Sequence, residues 1–165
     1  MANLVDLNRS KVRLFAATLA LAVLPANAET IYGKVVRVAD GDTLTILSVQ
    51  TTVRVRLTDI DAPELKQAYG RRSKQSLSEL CAGDFATLQW NEKDRYGRVL
   101  GRVTCKGIDA NAEQVRRGMA WVYDRYVKDR TLYQYQLQAQ TSHSGLWADP
   151  RPQAPWIWRR VKKAR

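Results

Sequence analysis

Three short motifs carry the residues of this 165-residue chain that could do chemistry. They are Asp40-Gly41-Asp42-Thr43, the segment from Arg56 to Glu64, and Asp94-Arg95-Tyr96-Gly97-Arg98. Carboxylate oxygens suit Ca²⁺ or Mg²⁺, and two of them from separate loops leave room at the cation for water and a phosphate. Neighbouring arginines can clamp a phosphodiester, and a further carboxylate can orient or deprotonate the attacking water. Together the motifs are typical of a metal-assisted site for phosphodiester cleavage.

Each motif by itself also has a simpler interpretation. The Asp-Gly pair of the first motif is typical of a hairpin turn, and Glu64 is in a place where a helix could begin. The third motif could be a polar hairpin with solvated arginines. Other hydrolytic signatures are missing, because the sequence has no GxSxG, HExxH or Walker loop. The single histidine, His143, excludes a mechanism that needs two histidines.

The charge balance indicates a polyanionic partner. Lys and Arg number 27 against 16 Asp and Glu, which gives a net charge of +11. Nucleic acid, an acidic membrane surface, and a sulfated or phosphorylated polymer would each suit this balance. With 45% hydrophobic and 26% charged residues, the composition argues against a disordered chain, a collagen-like fibre and a polytopic membrane protein. The length favours a single domain.

The N-terminus has the pattern of a secretory signal peptide. Arg9, Lys11 and Arg13 precede the apolar run 14–24, and Ala26-Asn27-Ala28 provides a small-residue cleavage site. The run is too short to span a bilayer comfortably as a helix. The alternative is a buried core helix. We expect residues 1–28 to be a cleaved signal peptide and the protein to be exported, to the periplasm or beyond.

Export bears on the only two cysteines, Cys81 and Cys105. An oxidising compartment and an even count favour a disulfide between them. Two buried free thiols are the alternative.

Hydrophobic patterning predicts strands first and helices later. Strands are predicted at 31–39, 43–49, 53–60, 85–90 and 98–105. Helices are predicted over 69–81 with a stop at Gly83, after a capping box formed by Asn111 and Gln114, and over 132–146. The order βββαββαα predicts an α+β protein, a five-stranded, partly open oligonucleotide-binding-fold barrel with about three helices.

We expect three segments: the signal peptide 1–28, the barrel domain 29–147, and a C-terminal tail 148–165. The tail is proline-rich and then basic, with five Lys and Arg among its last seven residues. The basic run could extend a nucleic-acid footprint or be a solvated end. Trp156 and Trp158 could stack on bases or insert at a membrane surface.

The three motifs, in this order, resemble those of the staphylococcal (micrococcal) nuclease family, also called thermonuclease. The resemblance runs from about Thr30 to Trp147 and rests on Asp40-Gly41-Asp42-Thr43, Arg56 to Glu64, and Asp94 to Arg98. It implies an oligonucleotide-binding-fold barrel and a Ca²⁺-dependent phosphodiesterase that acts on DNA and RNA. Family members of this type leave 3′-phosphate and 5′-hydroxyl ends. A monomer with no dedicated membrane or protein partner is expected.

The resemblance also implies roles for individual residues. Asp42 and Asp61 match the side-chain ligands of Ca²⁺, and Ala62 would add its backbone carbonyl where the best-known member has threonine. Arg56 and Arg98 match the family's two catalytic arginines. Glu64 matches the catalytic carboxylate, as general base or as a group that orders water and metal.

Other residues are expected in supporting positions. Asp40 would lie behind the metal ligands. Arg95 replaces a lysine common in the secreted form, which keeps the charge and alters the phosphate geometry. Tyr123 and Tyr126 fall in a region where the family places substrate-contacting tyrosines, although packing over the barrel would equally suit aromatic rings.

The residues leave a second function open, a noncatalytic nucleic-acid-binding module on the same barrel. The complete set of motif residues favours the enzyme.

Overall fold

A computed structural model describes residues 29–49 and 51–164 of the chain. The predicted signal peptide, residues 1–28, lies outside the described residues. None of the helices within the described ranges is long and apolar enough to cross a membrane.

Five strands form a closed barrel, which confirms the predicted fold class. They are β1 (Glu29–Val38), β2 (Thr43–Ser48), β3 (Thr51–Leu57), β5 (Phe85–Lys93) and β6 (Val99–Cys105). Antiparallel pairs join β3 to β2, β2 to β1, β1 to β5 and β5 to β6. Parallel pairing of β3 with β6 then closes the barrel, which the sequence predicted as partly open.

Alternating side chains on the strands fill the barrel interior. On β3, Val55 and Leu57 are buried, whereas Arg54 is exposed and Arg56 is half-buried. This is the alternation that the sequence predicted, since successive side chains of a strand point to opposite faces. The interior is lined by Val35, Leu44, Ile46, Val55, Leu57, Leu88, Val99 and Val103.

Three two-residue strands complete the sheets. They are β4 (Ile60–Asp61), β7 (Ile108–Asp109) and β8 (Trp121–Val122). β7 continues the barrel sheet beside β6, and β4 pairs with β8 in a separate ladder.

The described residues form four α-helices around the barrel, where about three were predicted. They are α1 (Gly70–Cys81), α2 (Ala110–Arg116), α3 (Leu132–Thr141) and α4 (Pro155–Lys163). The predicted stop of α1 is present at Gly83, whose φ of 79° is a left-handed conformation that glycine adopts without steric penalty.

The start of α2 and the end of α3 differ from the predictions. Asp109, not Asn111, caps α2, because its carboxylate accepts a hydrogen bond from Ala112 N at 3.1 Å. Asn111 is buried and instead connects β6 to the turn after β3, accepting a hydrogen bond from Val103 N and donating one to Thr58 O. α3 ends at Thr141, and Leu146 lies on a separate 3-10 helix, Gly145–Ala148.

The predicted tail, 148–165, contains the fourth helix. α4 begins with a proline in its first turn. Proline is favourable there because the backbone N–H groups of the first turn have no intrahelical acceptor, so the absence of one costs nothing. The segment before it is fixed to the barrel domain, because Gln67 Nε2 donates to Gln153 O at 2.6 Å and Ala154 is buried. The part of the tail described by the structure is therefore packed against the barrel domain.

The structure joins Cys81 to Cys105 in a disulfide. The bond links the end of α1 to the end of β6, and both residues are fully buried. The 24-residue separation of the two cysteines makes the loop that it closes long enough to restrict the unfolded chain substantially.

We expect Cys81→Ala/Cys105→Ala to lower the free energy of unfolding by roughly 3 kcal/mol, because the unfolded chain regains the entropy of the open loop. Urea unfolding followed by tryptophan fluorescence measures this. A thiol reductant should destabilise the wild-type protein and leave the double variant unchanged. Equal stability of the two proteins under oxidising conditions would contradict the prediction.

Candidate functional site

The first and second motifs meet at one rim of the barrel. Asp42 lies in the turn between β1 and β2, Arg56 lies near the end of β3, and Asp61 lies on β4 directly after it. The chain must therefore reverse its course within Thr58 and Asp59 to bring Arg56 and Asp61 to the same place.

Asp59 makes that reversal possible. Its φ of 66° is left-handed, a conformation that aspartate tolerates better than most residues. The side chain accepts a hydrogen bond from Lys128 N at 2.6 Å, and its carbonyl accepts one from Tyr123 N at 2.8 Å. Both contacts fix the turn to the segment that follows β8. The pairing of β4 with β8 then holds Asp61 opposite Trp121.

Two helices, α1 and α2, pack against the turn that carries Asp42 and hold it in place. Gln114 of α2 is fully buried, and its Nε2 donates to Gly41 O at 2.7 Å. Gly41 lies so close to α1 that a Cβ at this position would overlap the hydroxyl of Ser73. Asp40, which the sequence predicted in a supporting position, accepts a hydrogen bond at its Oδ1 from Asp42 N at 3.1 Å.

Two buried carboxylates and one arginine form the centre of the site. One nitrogen of Arg56, Nη2, lies 3.3 Å from Asp42 Oδ2 and 2.9 Å from Asp61 Oδ1. Asp42 Oδ2 also accepts a hydrogen bond from Ala62 N at 2.6 Å. Asp42 and Asp61 are almost completely buried. The two carboxylates therefore come together within reach of a single guanidinium nitrogen.

The burial of Asp42 has an electrostatic consequence. Loss of hydration raises the pKa of Asp42 to about 7, although Arg56 opposes this, and the neighbouring Asp40 and Asp61 raise it further. Arg56 alone thus does not compensate the charge of the buried Asp42. A divalent cation would do so, and carboxylate and carbonyl oxygens are the donors that Ca²⁺ and Mg²⁺ prefer. The donor set of Asp42, Asp61 and the Ala62 carbonyl fits such an ion.

The protein supplies few side-chain ligands at this point. Within 29–49 and 51–164, no three His, Cys, Asp or Glu side chains converge in a cluster that could hold a metal ion. A cation bound by Asp42 and Asp61 would therefore keep several positions for water or substrate oxygens.

Glu64 lies at the open side of the same centre. It follows Pro63, where the chain has left β4, and its side chain is about half-exposed. Its Oε1 accepts a hydrogen bond from Nη1 of Arg159, on α4, at 2.9 Å. Arg159 also contacts Asp61 and was not among the residues predicted from the sequence.

Arg98 approaches the site from the β5–β6 hairpin. Its guanidinium pairs with Asp94 at 2.8 Å, and its Nη1 lies 3.5 Å from Thr43 Oγ1. Thr43 Oγ1 in turn donates to Asp42 Oδ1 at 3.2 Å. Burial raises the pKa of Asp94, but hydrogen bonds from Arg98 and Tyr96 outweigh it and leave the pKa below its ordinary value. Arg98 is thus held beside the carboxylate pair through Thr43.

The remaining predicted residues lie around this centre. Arg95 is exposed on the hairpin, and its guanidinium lies over the Tyr96 ring, 4.9 Å from the centroid. The Tyr123 ring stacks on Trp156 of α4 with 5.3 Å between centroids, and the exposed Tyr126 packs edge-on against Tyr123. None of the three makes a hydrogen bond or ion pair to Asp42, Asp61 or Glu64 in the described part of the chain.

Sequence reasoning missed Arg159 and Trp156 as components of the site. Both belong to the basic, tryptophan-containing end that was treated as a tail. The spacing of Trp156 and Arg159 could have indicated that they act together, because residues three apart on a helix lie on the same face.

Comparisons with known proteins agree with the geometry. The family model described as "Staphylococcal nuclease homologue" matches residues 54–149. An uncharacterized endonuclease of Escherichia coli is 45% identical over 139 residues, covering 84% of this chain and 91% of its own. A micrococcal nuclease of Shigella flexneri is 43% identical over 164 residues, covering 92% of this chain and 94% of its own. An uncharacterized endonuclease of Haemophilus influenzae is 42% identical over 155 residues, with 93% and 87% coverage.

We expect Asp42→Asn to make the metal-free protein more stable. The raised pKa of Asp42 means that its charge opposes folding at any pH above the ordinary aspartate pKa, so removing the charge at pH 8 should raise the free energy of unfolding by about 1 kcal/mol or more. Urea unfolding in a chelator measures the change.

Asp84→Asn is the matched control for this experiment. Asp84 forms an exposed ion pair with Lys106, so we expect a change within about 0.5 kcal/mol. A clear loss of stability in Asp42→Asn would mean that the carboxylate serves the fold, against the prediction.

Proposed function

The chain belongs to the staphylococcal nuclease homologue family and is a nuclease, and from that premise we propose that it is an exported, Ca²⁺-dependent endonuclease. It hydrolyses phosphodiester bonds of DNA and RNA with little sequence preference and leaves 3′-phosphate and 5′-hydroxyl ends. The observation that carries the proposal is the convergence of Asp42 and Asp61 on Arg56 at the barrel rim.

Asp42 and Asp61 hold the cation through their side chains, and Ala62 does so through its carbonyl oxygen. When bound, Ca²⁺ polarises the phosphate and the attacking water and neutralises charge that develops in the transition state. The burial of both carboxylates supports this assignment, because a buried pair of like charges needs a compensating cation. An alanine at position 62 is compatible with the role, since only its backbone is used.

Arg56 and Arg98 bind the scissile phosphate. Guanidinium groups suit this task because they donate paired hydrogen bonds to phosphate oxygens and stay charged at every relevant pH. Arg56 lies against the carboxylate pair, and Arg98 lies beside Thr43 on the neighbouring hairpin. A phosphate between them would meet positive charge where the transition state gains negative charge.

Glu64 acts on the attacking water, as general base or as the group that orients it. Its half-exposed side chain lies next to Asp61, with Arg159 bridging the two. A base in this position can accept a proton from water that approaches the phosphate from solvent.

The cationic and aromatic side chains near the site favour long polymers over small phosphate esters. Arg95, Tyr123 and Tyr126 line its surroundings, where cationic and aromatic side chains can contact backbone phosphates and stack on bases of any sequence. The excess of Lys and Arg over Asp and Glu, which persists after removal of residues 1–28, attracts a nucleic acid over a longer distance.

We expect the protein to cut single- and double-stranded DNA and RNA in Ca²⁺ and to lose this activity in excess EGTA. Product ends identify the bond that is cleaved: 3′-phosphate termini are expected, seen as fragments that a kinase can label at the 5′ end without prior phosphatase treatment. Full activity in EGTA, or 5′-phosphate products, would contradict the proposed chemistry.

Substitutions separate catalysis from general charge. Arg56→Gln and Glu64→Gln should each lower kcat at least 100-fold, because they remove phosphate binding and action on the water. Arg54→Gln is the control, since Arg54 is exposed two residues away on the same strand and carries the same charge. A similar loss in Arg54→Gln would mean that bulk charge, and not the site, accounts for activity.

Export is proposed from the pattern of residues 1–28. Full-length protein produced in a Gram-negative host should be found outside the cytoplasm with Glu29 as its N-terminal residue, as determined by mass spectrometry. Leu21→Arg interrupts the apolar run and should keep the chain unprocessed in the cytoplasm. An intact Met1 on protein recovered from the periplasm would contradict cleavage.

A further inference from the structure

Helix α4 lies beyond the part of the chain that the family model matches, yet it contributes a side chain to the site. The match ends at residue 149, and α4 covers Pro155–Lys163. The three motifs all lie before this helix, so its role in the reaction has to be inferred from its own contacts.

Trp156 fixes the position of α4. Its ring stacks on Tyr123 with 5.3 Å between centroids and an interplanar angle of 7°. It also packs edge-on against Trp121 at 5.8 Å. Tyr123 and Trp121 belong to the segment that pairs with β4 and anchors the turn at Asp59, so the helix rests on the same structure that positions Asp61. Pro155, the first residue of the helix, is buried.

Arg159 follows Trp156 by three residues and lies on the same helix face. Its Nη2 lies 2.6 Å from Asp61 Oδ2, and its Nη1 lies 3.2 Å from Asp61 Oδ1 and 2.9 Å from Glu64 Oε1. Both oxygens of Asp61, a residue only 2% exposed, are thus engaged by one guanidinium. Glu64, the other carboxylate at the open side of the site, is held by the same group.

These contacts place Arg159 in competition with a cation. A carboxylate whose two oxygens accept hydrogen bonds from a guanidinium is less available as a metal ligand, and two positive groups close to one carboxylate repel each other. Because Trp156 holds the helix in place, a displaced Arg159 side chain would remain within a side-chain length of the site, with its five N–H donors free to bind a phosphate.

We propose that Arg159 is a further substrate-binding residue of this nuclease, one that neutralises Asp61 and Glu64 in the cation-free enzyme and binds substrate phosphate once a divalent cation has taken Asp61. The inference rests on the proposed function of the site. It gives Arg159 two measurable effects: it weakens cation binding in the absence of nucleic acid and strengthens nucleic-acid binding in the presence of the cation.

The first test measures Ca²⁺ binding without substrate by isothermal titration calorimetry. Arg159→Gln should bind Ca²⁺ about 3- to 10-fold more tightly than the wild-type protein, because the ion no longer displaces an ion pair with a buried partner. Arg160→Gln is the matched control, since the adjacent Arg160 is exposed and makes no ion pair with any described residue. Its Ca²⁺ affinity should stay within twofold of wild type.

The second test measures cleavage of a DNA oligonucleotide at saturating Ca²⁺. Arg159→Gln should raise KM by about fivefold, and Arg160→Gln should raise it less. Both variants lose one positive charge, but only Arg159→Gln loses a guanidinium at the site. Trp156→Ala serves as a second variant that leaves Arg159 in place and removes its anchor. It should shift both Ca²⁺ affinity and KM in the same directions as Arg159→Gln, with circular dichroism confirming that the barrel is folded.

The outcomes distinguish this inference from the proposed function. If wild-type protein binds Ca²⁺ and Arg159→Gln binds it with unchanged or lower affinity, the competition is refuted while the calcium site stands. If KM rises equally in Arg159→Gln and Arg160→Gln, the substrate-binding role is refuted. If wild-type protein binds no Ca²⁺, the proposed function and this inference fall together.

Discussion

The close burial of Asp42 and Asp61 is the constraint on which the rest of this structure depends. Two carboxylates removed from water beside each other oppose folding unless positive charge meets them, and the raised pKa of Asp42 records that opposition. Arg56 of β3 forms ion pairs with both carboxylates, and Arg159 of α4 forms one with Asp61. Burial of carboxylates is unfavourable in the cation-free protein and is expected where a cation binds. The low local dielectric that opposes folding also strengthens the attraction between the carboxylates and an ion.

Much of the surrounding structure serves to hold the two carboxylates in place against that repulsion. The turn at Asp59 accepts two hydrogen bonds from the segment after β8, and Gln114 ties the Asp42 turn to α2. Gly41 allows the turn to approach α1 more closely than any side chain would. A rim made of turns would otherwise yield to the charge repulsion by moving apart.

The sequence predicts the elements that follow local rules and misses those that depend on distant contacts. Alternation on β3 assigns Val55 and Leu57 to the interior, but it cannot choose between Arg54 and Arg56, which share a face. The resemblance of the motif selects Arg56, and the structure gives the physical reason, because the turn after β3 brings Asp61 back to Arg56. The capping of α2 was misassigned for a similar reason. Asn111 looks like a cap in sequence, yet tertiary hydrogen bonds to Val103 and Thr58 employ its side chain inside the helix.

In helix α4, the high overall positive charge of the C-terminal segment conceals the specific position of one arginine. A run of basic residues after three prolines predicts nonspecific affinity for polyanions, and most of these charges are exposed, as that interpretation requires. Arg159 is also partly exposed, but it pairs with Asp61 because Trp156, one turn earlier, packs between Trp121 and Tyr123 and turns that face of the helix toward the site. The aromatic contact, and not the charge, therefore decides which arginine enters the site. A helix outside the barrel can in this way change the balance between cation and substrate binding without altering any residue of the three motifs.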